Sequence, residues 1–229
     1  MTRIAIHQPE YFPWPGFLDK ARRSDVFVLL DNVQFDRSSL QHRTKVAGAN
    51  GVHWLTIPFV HKFPQQIDEV AFVDDRWRAK HWKSLVADYA RAAGWKSAAG
   101  FLEPFYAAEY ATVIDVAIAS IDLLRAAFGV TTPVVRASSL SARGEKGMLV
   151  LAICRELGAK TYLSGRTGAT YLDHEVFADH GVNIEVQSYR PRPYARSRDL
   201  AADDARGLSA LDAWVHLGGE AAGYLQEAA

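Results

Sequence analysis

The sequence predicts an α/β protein with a mainly parallel sheet, helices on both faces of that sheet, and additional helices. Short apolar segments alternate along the chain with longer segments whose apolar residues recur at helical spacing. This alternation is typical of βαβ units. In addition, residues 26–30 are apolar without interruption and are followed by Asp31, which is typical of a strand buried on both faces.

The strands are predicted from apolar segments that stop at polar residues or at proline. The first, 3–7, runs into a segment with several prolines, which cannot continue a hydrogen-bonded ladder. A third strand is predicted over 52–60, ending near Pro58. The later strands are predicted at 132–137, 161–163 and 183–187.

The helices are predicted from their capping residues and periodicity. Asp74 and Asp75 suit the N-cap and acidic first turn of a helical block that ends at Gly94. Gly129 and Gly158 suit the C-terminal ends of two later helical segments. The other predicted helices lie at 17–23, 101–128 (one helix or two), 146–157, 171–180 and 209–226, the last divided near Gly218 and Gly219.

Length and composition predict a folded, cytoplasmic protein, with either one large domain or a domain plus a helical appendage. Lysine plus arginine and aspartate plus glutamate balance at 26 each, so no positive field would attract nucleic acid or an anionic membrane. The N-terminus lacks the pattern of a signal peptide, and the most apolar helical segment, 113–128, is too short and too charged for membrane insertion. A single cysteine rules out an internal disulfide.

Polar side chains follow four of the predicted strands. His7 and Gln8 follow the first; Asp31, Asn32 and Gln34 follow the second; Ser164 and Gly165 follow a later strand; and Gln187 follows the last. Because the carboxyl ends of parallel strands share one edge of a sheet, these residues are expected to line a common crevice for a small molecule. The alternative for the first turn is a rigid N-terminal segment in which Tyr11, Phe12 and Trp14 only pack.

The catalytic candidates are His7 and Asp31. Histidine titrates near neutrality, so His7 suits a general acid or base, although a structural histidine is an equal alternative. Asp31 could orient His7, bind a substrate ammonium or hydroxyl, or only cap the following turn. The candidate substrate-binding residues are Gln8, Tyr11, Trp14, Gln34, Arg43, Ser164, Gly165, Gln187 and Tyr194.

Other features of the sequence point to less specific chemistry. Arg43 is either an anion clamp or a solvated surface residue. The segment 164–171, with two glycines and several hydroxyls, is either a backbone cradle for an anion or a plain turn. Cys154 lies in an apolar helical segment and is read as a packed thiol rather than a nucleophile. The histidines at 42, 53, 61 and 81 lack metal-ligand spacing, so neither a metal nor a cofactor is predicted.

Short motifs are spread over almost the whole chain. They are 7–17 (HQPEYFPWPGF), 24–25 (SD), 30–35 (LDNVQF), Arg43, 54–58 (WLTIP), 162–165 (YLSG), 171–172 (YL), Gln187, Tyr194 and 208–212 (LSALD). Together they resemble the WbqC-like family. The resemblance covers almost the whole chain and implies that residues 1–229 form a single domain of this family. The resemblance implies a bacterial role in the biosynthesis of surface polysaccharides or natural products, with an amine or amino sugar as substrate and an acyl or aminoacyl carrier protein as a candidate partner.

Three functions remain open from the sequence. The leading hypothesis is a transferase that moves an acyl or aminoacyl group from a carrier-bound thioester to an amine, with His7 as base, Asp31 as its partner, and Gln8, Gln34 or backbone N–H groups near Gly165 stabilising the oxyanion. The second is a nucleotide-dependent amide-forming ligase. The third is a non-catalytic module that binds a sugar or a carrier protein through Tyr11, Trp14 and Trp54.

Overall fold

The computed structural model describes residues 2–48, 51–60, 62–196, 200–201 and 204–225, and it confirms the predicted α/β fold. Its strands are, in chain order, β1 (Arg3–His7), β2 (Val26–Leu29), β3 (Arg43–Gly48), β4 (Gly51–Thr56), β5 (Val134–Arg136), β6 (Thr161–Ser164) and β7 (Asn183–Val186). Five of them form one sheet in the order β5-β2-β1-β6-β7, and every neighbouring pair is parallel. The carboxyl ends of these strands therefore lie along one edge.

Apart from α6, which lies in the segment predicted as a cradle or a turn, the helices follow the predicted order with shifted ends. They are α1 (Pro15–Arg22), α2 (Arg76–Tyr89), α3 (Trp95–Ala107), α4 (Val113–Ala127), α5 (Lys146–Glu156), α6 (Arg166–Ala169), α7 (His174–Asp179), α8 (Ala210–Leu217) and α9 (Ala221–Tyr224). The segment predicted as one or two helices from residue 101 contains two, and the first begins earlier, at Trp95. The C-terminal helix is divided at Gly218 as predicted. Gln226, included in that prediction, and His61 lie outside the described residues.

The parallel sheet separates two hydrophobic cores, because successive side chains of β1 point to opposite faces. Ala5 packs in a core that includes residues of α1, α4 and α8. Ile4 and Ile6 pack in a second core with residues of α5 and α7, including Ile153 and Phe177. Helices thus cover both faces of the sheet, which explains why β1 and β2 are apolar without alternation.

The strand predicted over 52–60 does not join the parallel sheet. Its residues 52–56 belong to β4, which pairs antiparallel with β3 in a separate two-stranded sheet, with Arg43 opposite Thr56. The physical reason is visible in the burial of β3, where buried and partly exposed residues alternate. Such alternation suits a hairpin with one face in solvent rather than a central parallel strand. The hairpin packs instead on the helices α2 and α8.

A buried carboxylate connects α2, α8 and the hairpin. Asp212, on α8, is fully buried and accepts hydrogen bonds from the Tyr89 hydroxyl (2.9 Å), the Arg196 guanidinium (2.9 Å) and the Tyr194 hydroxyl. The Tyr89 hydroxyl in turn accepts from the backbone N–H of Ala47 at 3.0 Å. One side chain thereby connects α8, α2, the hairpin and the segment before residue 197. Within the described residues, no helix is both long and apolar enough to cross a membrane.

Acid should destabilise this fold, because His42 and His81 are buried in the uncharged form. Burial lowers the pKa of each from 6.5 to about 4. Between these values the unfolded chain binds more protons, so the stability contributed by both groups is present above pH 6.5 and is lost as the pH falls toward about 4. We expect the free energy of unfolding to fall by up to about 1.4 kcal/mol per pH unit for each histidine, measured by urea unfolding across this window. In a His81→Gln variant, the slope of the free energy of unfolding against pH should decrease by the contribution of about one proton. An unchanged slope would contradict the assignment.

Candidate functional site

A cavity of about 570 Å³ opens at the carboxyl edge of the parallel sheet. It lies between the residues that follow β1 and those that follow β6, and these two strands are neighbours in the sheet. The chain proceeds from β1 to β2 and β5 on one side, then returns to β6 and β7 on the other. The cavity therefore occupies the point where the strand order reverses, which is where doubly wound α/β folds bind ligands.

His7 forms the end of β1 and lines the cavity. Its Nδ1 lies 2.9 Å from the carbonyl oxygen of Gln8, which can only accept a hydrogen bond. In the neutral ring Nδ1 therefore carries the proton, and Nε2 is left as an acceptor. Burial, reinforced by the nearby Lys20 ammonium, lowers the pKa of His7 to about 3. His7 is thus uncharged at neutral pH in the free protein, which differs from the near-neutral titration that the sequence predicts.

Two further ionisable side chains line the cavity beside His7. The Glu10 Oε1 lies 3.8 Å from His7 Nδ1, and burial raises the pKa of this carboxyl to about 8 although the Lys20 charge opposes the shift. Lys20 comes from α1 and donates a hydrogen bond of 2.8 Å to the carbonyl oxygen of Ile6. Burial lowers the pKa of Lys20 to about 8, opposed by Glu10. Perturbed groups that converge in a cleft mark candidate catalytic sites.

The predicted residue Gln8 also lines the cavity, together with Gln41 from the loop before β3. The Gln41 Nε2 donates to Gln8 Oε1 at 2.9 Å. The backbone N–H of Tyr11 donates to the carbonyl oxygen of Leu40 at 2.9 Å, so the two loops are held against each other along their length. These contacts hold together one wall of the cavity.

Trp14, one of the predicted substrate-binding residues, lines the cavity and packs edge-to-face against Tyr189, with ring centroids 5.6 Å apart. Tyr189 lies three residues after β7 and also lines the cavity. The indole of Trp14 lies directly over Gly16, where a Cβ atom would come within 2.1 Å of Cη2. The absence of a side chain at Gly16 therefore allows Trp14 to form this wall.

A Gly16→Ala substitution should displace Trp14 and alter the cavity. The added methyl group overlaps the indole, and such overpacking costs about 1–3 kcal/mol. We expect a lower free energy of unfolding in urea and a shift in the tryptophan fluorescence spectrum. Gly100→Ala, also in a helix, is the matched control, since a Cβ there meets nothing within 4 Å. It should leave the fluorescence spectrum unchanged and raise the free energy of unfolding by about 0.5–1 kcal/mol, because alanine favours the helix. Equal behaviour of the two variants would contradict the packing described for Trp14.

The later strand ends contribute mainly structure to the site. Gln187 lines the cavity, but its Nε2 donates to the Gly16 carbonyl oxygen (2.8 Å) and to Asp19 Oδ2 (2.9 Å), so it holds α1 against the sheet edge. Gly165 lines the cavity, whereas Ser164 is fully buried and donates to the Gly165 carbonyl oxygen at 3.1 Å. The sheet thus brings these predicted residues to one edge, as expected, but only some of them face the cavity.

Asp31 is at the predicted edge but is engaged elsewhere. It is fully buried, accepts from Arg136 Nε at 2.5 Å, and accepts from both the backbone N–H and the hydroxyl of Ser138 at 2.8 Å. Asp31 is not among the residues that line the cavity, and it makes no hydrogen bond to His7 in the structure. Its contacts connect β2 to β5 and the turn after it, which favours the architectural alternative over a partnership with His7.

Tyr11 turns away from the cavity because the chain reverses at Phe12. Phe12 has a φ of 42°, a left-handed conformation that is costly for a residue with a side chain. Its backbone is held by Ser120, which accepts from the N–H at 2.8 Å, and by Thr44 and Ser209, which donate to the carbonyl oxygen. Tyr11 is consequently buried in the helical core, where its hydroxyl lies 3.0 Å from His81 and 2.7 Å from that of Tyr106. These last two contacts satisfy the Tyr11 hydroxyl without a ligand.

Three other predicted substrate-binding residues lie outside the cavity lining. Arg43 donates to the Ser38 carbonyl oxygen at 2.5 Å, and its guanidinium lies 4.8 Å from the ring centroid of Trp54 on the hairpin. Gln34 is exposed and forms an isolated bridge with Gln66. Tyr194 belongs to the Asp212 network.

Cys154 is fully buried on α5 in the second core, and burial raises the pKa of its thiol to about 12. A thiolate is therefore disfavoured, in agreement with a packed role. Among the residues that the structure describes, no three histidine, cysteine or carboxylate side chains are grouped so as to hold a metal ion.

Sequence reasoning missed Glu10, Lys20, Gln41 and Tyr189. Glu10 lies within the distinctive N-terminal segment, so proximity to His7 was the available signal. Lys20 sits on the buried face of α1, and a lysine among Phe17, Leu18 and Ala21 is unusual enough to mark a functional position. Nothing local distinguishes Gln41 or Tyr189, which reach the cavity only through the folding of long loops.

Comparisons with known proteins agree with the sequence resemblance. The model of the WbqC-like protein family matches residues 8–224. A curated relative, the uncharacterized protein Rv1507c of Mycobacterium tuberculosis (strain ATCC 25618 / H37Rv), is 27% identical over 231 residues, covering 99% of this chain and 98% of the relative. No solved structure matches the chain significantly. Since the family match covers nearly the whole sequence, the chain belongs to the WbqC-like protein family.

Proposed function

We propose that this protein is a transferase that moves an acyl or aminoacyl group from a carrier-protein thioester to the amine of an amino sugar or natural-product intermediate in the cytoplasm. The observation that carries the proposal is the convergence of His7, Glu10 and Lys20 in one cavity at the sheet edge. The burial of Cys154 outside that cavity supports direct transfer, without an acyl group on an enzyme thiol.

In the proposed reaction the amine nitrogen attacks the thioester carbonyl carbon. A C–N bond forms, the carbonyl electron pair moves to oxygen, and the C–S bond breaks when the pair returns. The amine loses one proton, and the carrier leaves as a thiol after gaining one. The products are an amide and a free thiol, so atoms and electrons balance without a further reactant.

Lys20 is suited to stabilise the oxyanion. One of its three N–H donors is used on the Ile6 carbonyl oxygen, which fixes the position of the ammonium and leaves two donors for a ligand. A fixed positive charge in a site with little water is worth more to a developing negative charge than the same group in solvent.

His7 is suited to receive the proton of the attacking amine at Nε2. With a pKa of about 3 it does not hold a proton in the free protein. The nitrogen of the tetrahedral adduct is strongly acidic, however, and the adjacent oxyanion raises the basicity of the imidazole as it forms. His7 therefore accepts a hydrogen bond from the amine first and takes the proton only as attack proceeds.

A nucleotide-dependent ligase is the second candidate. It is favoured by the position of the cavity, because the strand-order reversal of doubly wound sheets is a common nucleotide site. The exposed Arg166, which lines the same cavity after β6, adds a positive charge that would suit a phosphate.

Transfer can be tested with synthetic acyl- and aminoacyl-pantetheine thioesters and a panel of primary amines. Release of thiol together with formation of an amide, followed by mass spectrometry without ATP, is the expected result. Amide formation that requires ATP and releases AMP or ADP would replace the transferase with the ligase. Tight binding of sugars or of a carrier protein without any turnover would favour the non-catalytic module.

A further inference from the structure

The cavity contains two buried side-chain oxygens that have no hydrogen-bond partner within the described part of the chain. Glu10 is 9% exposed and its Oε2 has no hydrogen-bond partner. Gln41 is 1% exposed, and its Oε1 has no partner although its Nε2 is bonded to Gln8. Both residues line the cavity. Because buried polar atoms without partners are costly, their presence here indicates a ligand that forms hydrogen bonds with them.

We infer that Glu10 and Gln41 form the subsite for a primary amine that also carries a second N–H or O–H donor. The inference rests on the proposed function, since it specifies the acceptor substrate of that reaction. The ammonium pairs with the Glu10 carboxylate, which is the acidic side chain of the cavity lining. Before attack the ammonium gives one proton to this carboxylate, so that the neutral amine of the proposed reaction is formed in place. The neutral amide oxygen of Gln41 accepts from the second donor. Apolar walls formed by Trp14 and Leu40 suit the carbon skeleton between them.

The protonation state of Glu10 predicts that a proton is released when an ammonium binds. Its pKa of about 8 means that the carboxyl is mostly protonated at neutral pH in the free protein. An ammonium favours the carboxylate, so binding at neutral pH releases a proton from Glu10. The other titratable residues that line the cavity are His7, Lys20, Tyr162, Arg166 and Tyr171, together with Tyr189. Of these, His7 is already neutral and Lys20 opposes a second positive charge, so neither supplies the affinity for an ammonium.

The test is calorimetric binding of three matched probes to the whole protein in the absence of any thioester. The probes are trans-2-aminocyclohexanol, cyclohexylamine and cyclohexanol, which share a ring and differ in their donors. We expect the amino alcohol to bind more tightly than the amine, and at least about tenfold more tightly than the alcohol, because a charge-assisted hydrogen bond is lost in the alcohol. Titrations in buffers with different ionisation enthalpies should show proton release for the two amines.

Three variants test whether Glu10 and Gln41 form the subsite. Glu10→Gln should abolish the preference for the amines and the proton release, while Gln41→Leu should remove only the advantage of the amino alcohol over cyclohexylamine. Glu103→Gln is the matched control, since it removes one negative charge from an exposed position on α3. Thermal unfolding establishes that each variant is folded. Should Glu10→Gln not fold, the wild-type probe series and Gln41→Leu still decide the inference.

Wild-type protein that binds cyclohexanol as well as the amines, or that binds none of the probes up to their solubility limits, would overturn the subsite. So would a folded Glu10→Gln variant with an unchanged preference. These failures are distinct from failure of the proposed function. Selective amine binding without any transfer would reject the transferase alone, whereas transfer activity with amine binding unaffected by Glu10→Gln would reject the subsite alone.

Discussion

His7→Ala should lower the rate of acyl transfer by about 10²–10⁴-fold, the range typical of a positioned acid or base. The variant lacks the Nε2 acceptor that we propose for the proton of the attacking amine. It should remain folded, because the side chain of His7 borders the cavity and its ion-pair contact with Glu10 is long, at 3.8 Å. The measurement is the rate of thiol release at saturating thioester and amine, with circular dichroism as the check on folding.

Cys154→Ala is the control for the His7 experiment. Its thiol is buried in the second core and has a raised pKa, so its loss should affect stability more than turnover. A second variant, His7→Gln, keeps a polar group at the site but cannot exchange a proton, and it should be almost as slow as His7→Ala. Full activity in either His7 variant, or a folded but inactive Cys154→Ala protein, would show that the proton acceptor or the nucleophile has been misassigned.

Asp212→Ala should destabilise the protein by about 3–5 kcal/mol, the usual cost of removing one member of a buried ion pair. The substitution leaves the Arg196 charge without its carboxylate and leaves the Tyr89 hydroxyl without its acceptor. Asp212 connects α8 to α2 and, through Tyr89, to the hairpin. Its loss should therefore destabilise all of these elements together. Urea unfolding monitored by fluorescence measures the change.

Asp122→Ala is the matched control for Asp212. Asp122 also pairs with an arginine, Arg125 at 2.9 Å, but its side chain is 58% exposed on α4. An exposed pair of this kind contributes at most about 1 kcal/mol, so the control should change stability little. Similar losses in the two variants would mean that the Asp212 network does not carry the stability assigned to it.

Parts of the fold follow from local sequence patterns. The uninterrupted apolar segments of β1 and β2 require burial on both faces, and that requirement leads to a parallel sheet covered by helices. The end of β1 at His7 follows from the prolines that come next, which cannot donate to a ladder. The position of His7, Gln8 and Gly165 at a common edge follows in turn, because all parallel strands end on the same side.

The pairing of β3 with β4 is not predicted by local sequence patterns. Residues 52–60 are as apolar as a core strand, and nothing in their own sequence specifies the partner of β4. That partner, β3, begins at Arg43 in a segment for which the sequence predicts no strand, and only the pairing of the two strands reveals the alternating burial. Strand pairing is decided by contacts between segments, so single-segment periodicity does not determine it.

The sequence by itself determined the class of fold, the strand that carries His7 and the sheet edge at which polar groups gather. Only the tertiary structure decided which of those groups face the cavity. Because the chain reverses at Phe12, Tyr11 is buried in the helical core, whereas Trp14 lines the cavity. Asp31 instead forms its hydrogen bonds with β5 and the turn that follows it. The physical reason is that side chains point in directions that repeat with a fixed period along a strand or a helix, but not along a loop. In a loop the direction is set by contacts with distant segments, as when Gln41 reaches across to Gln8.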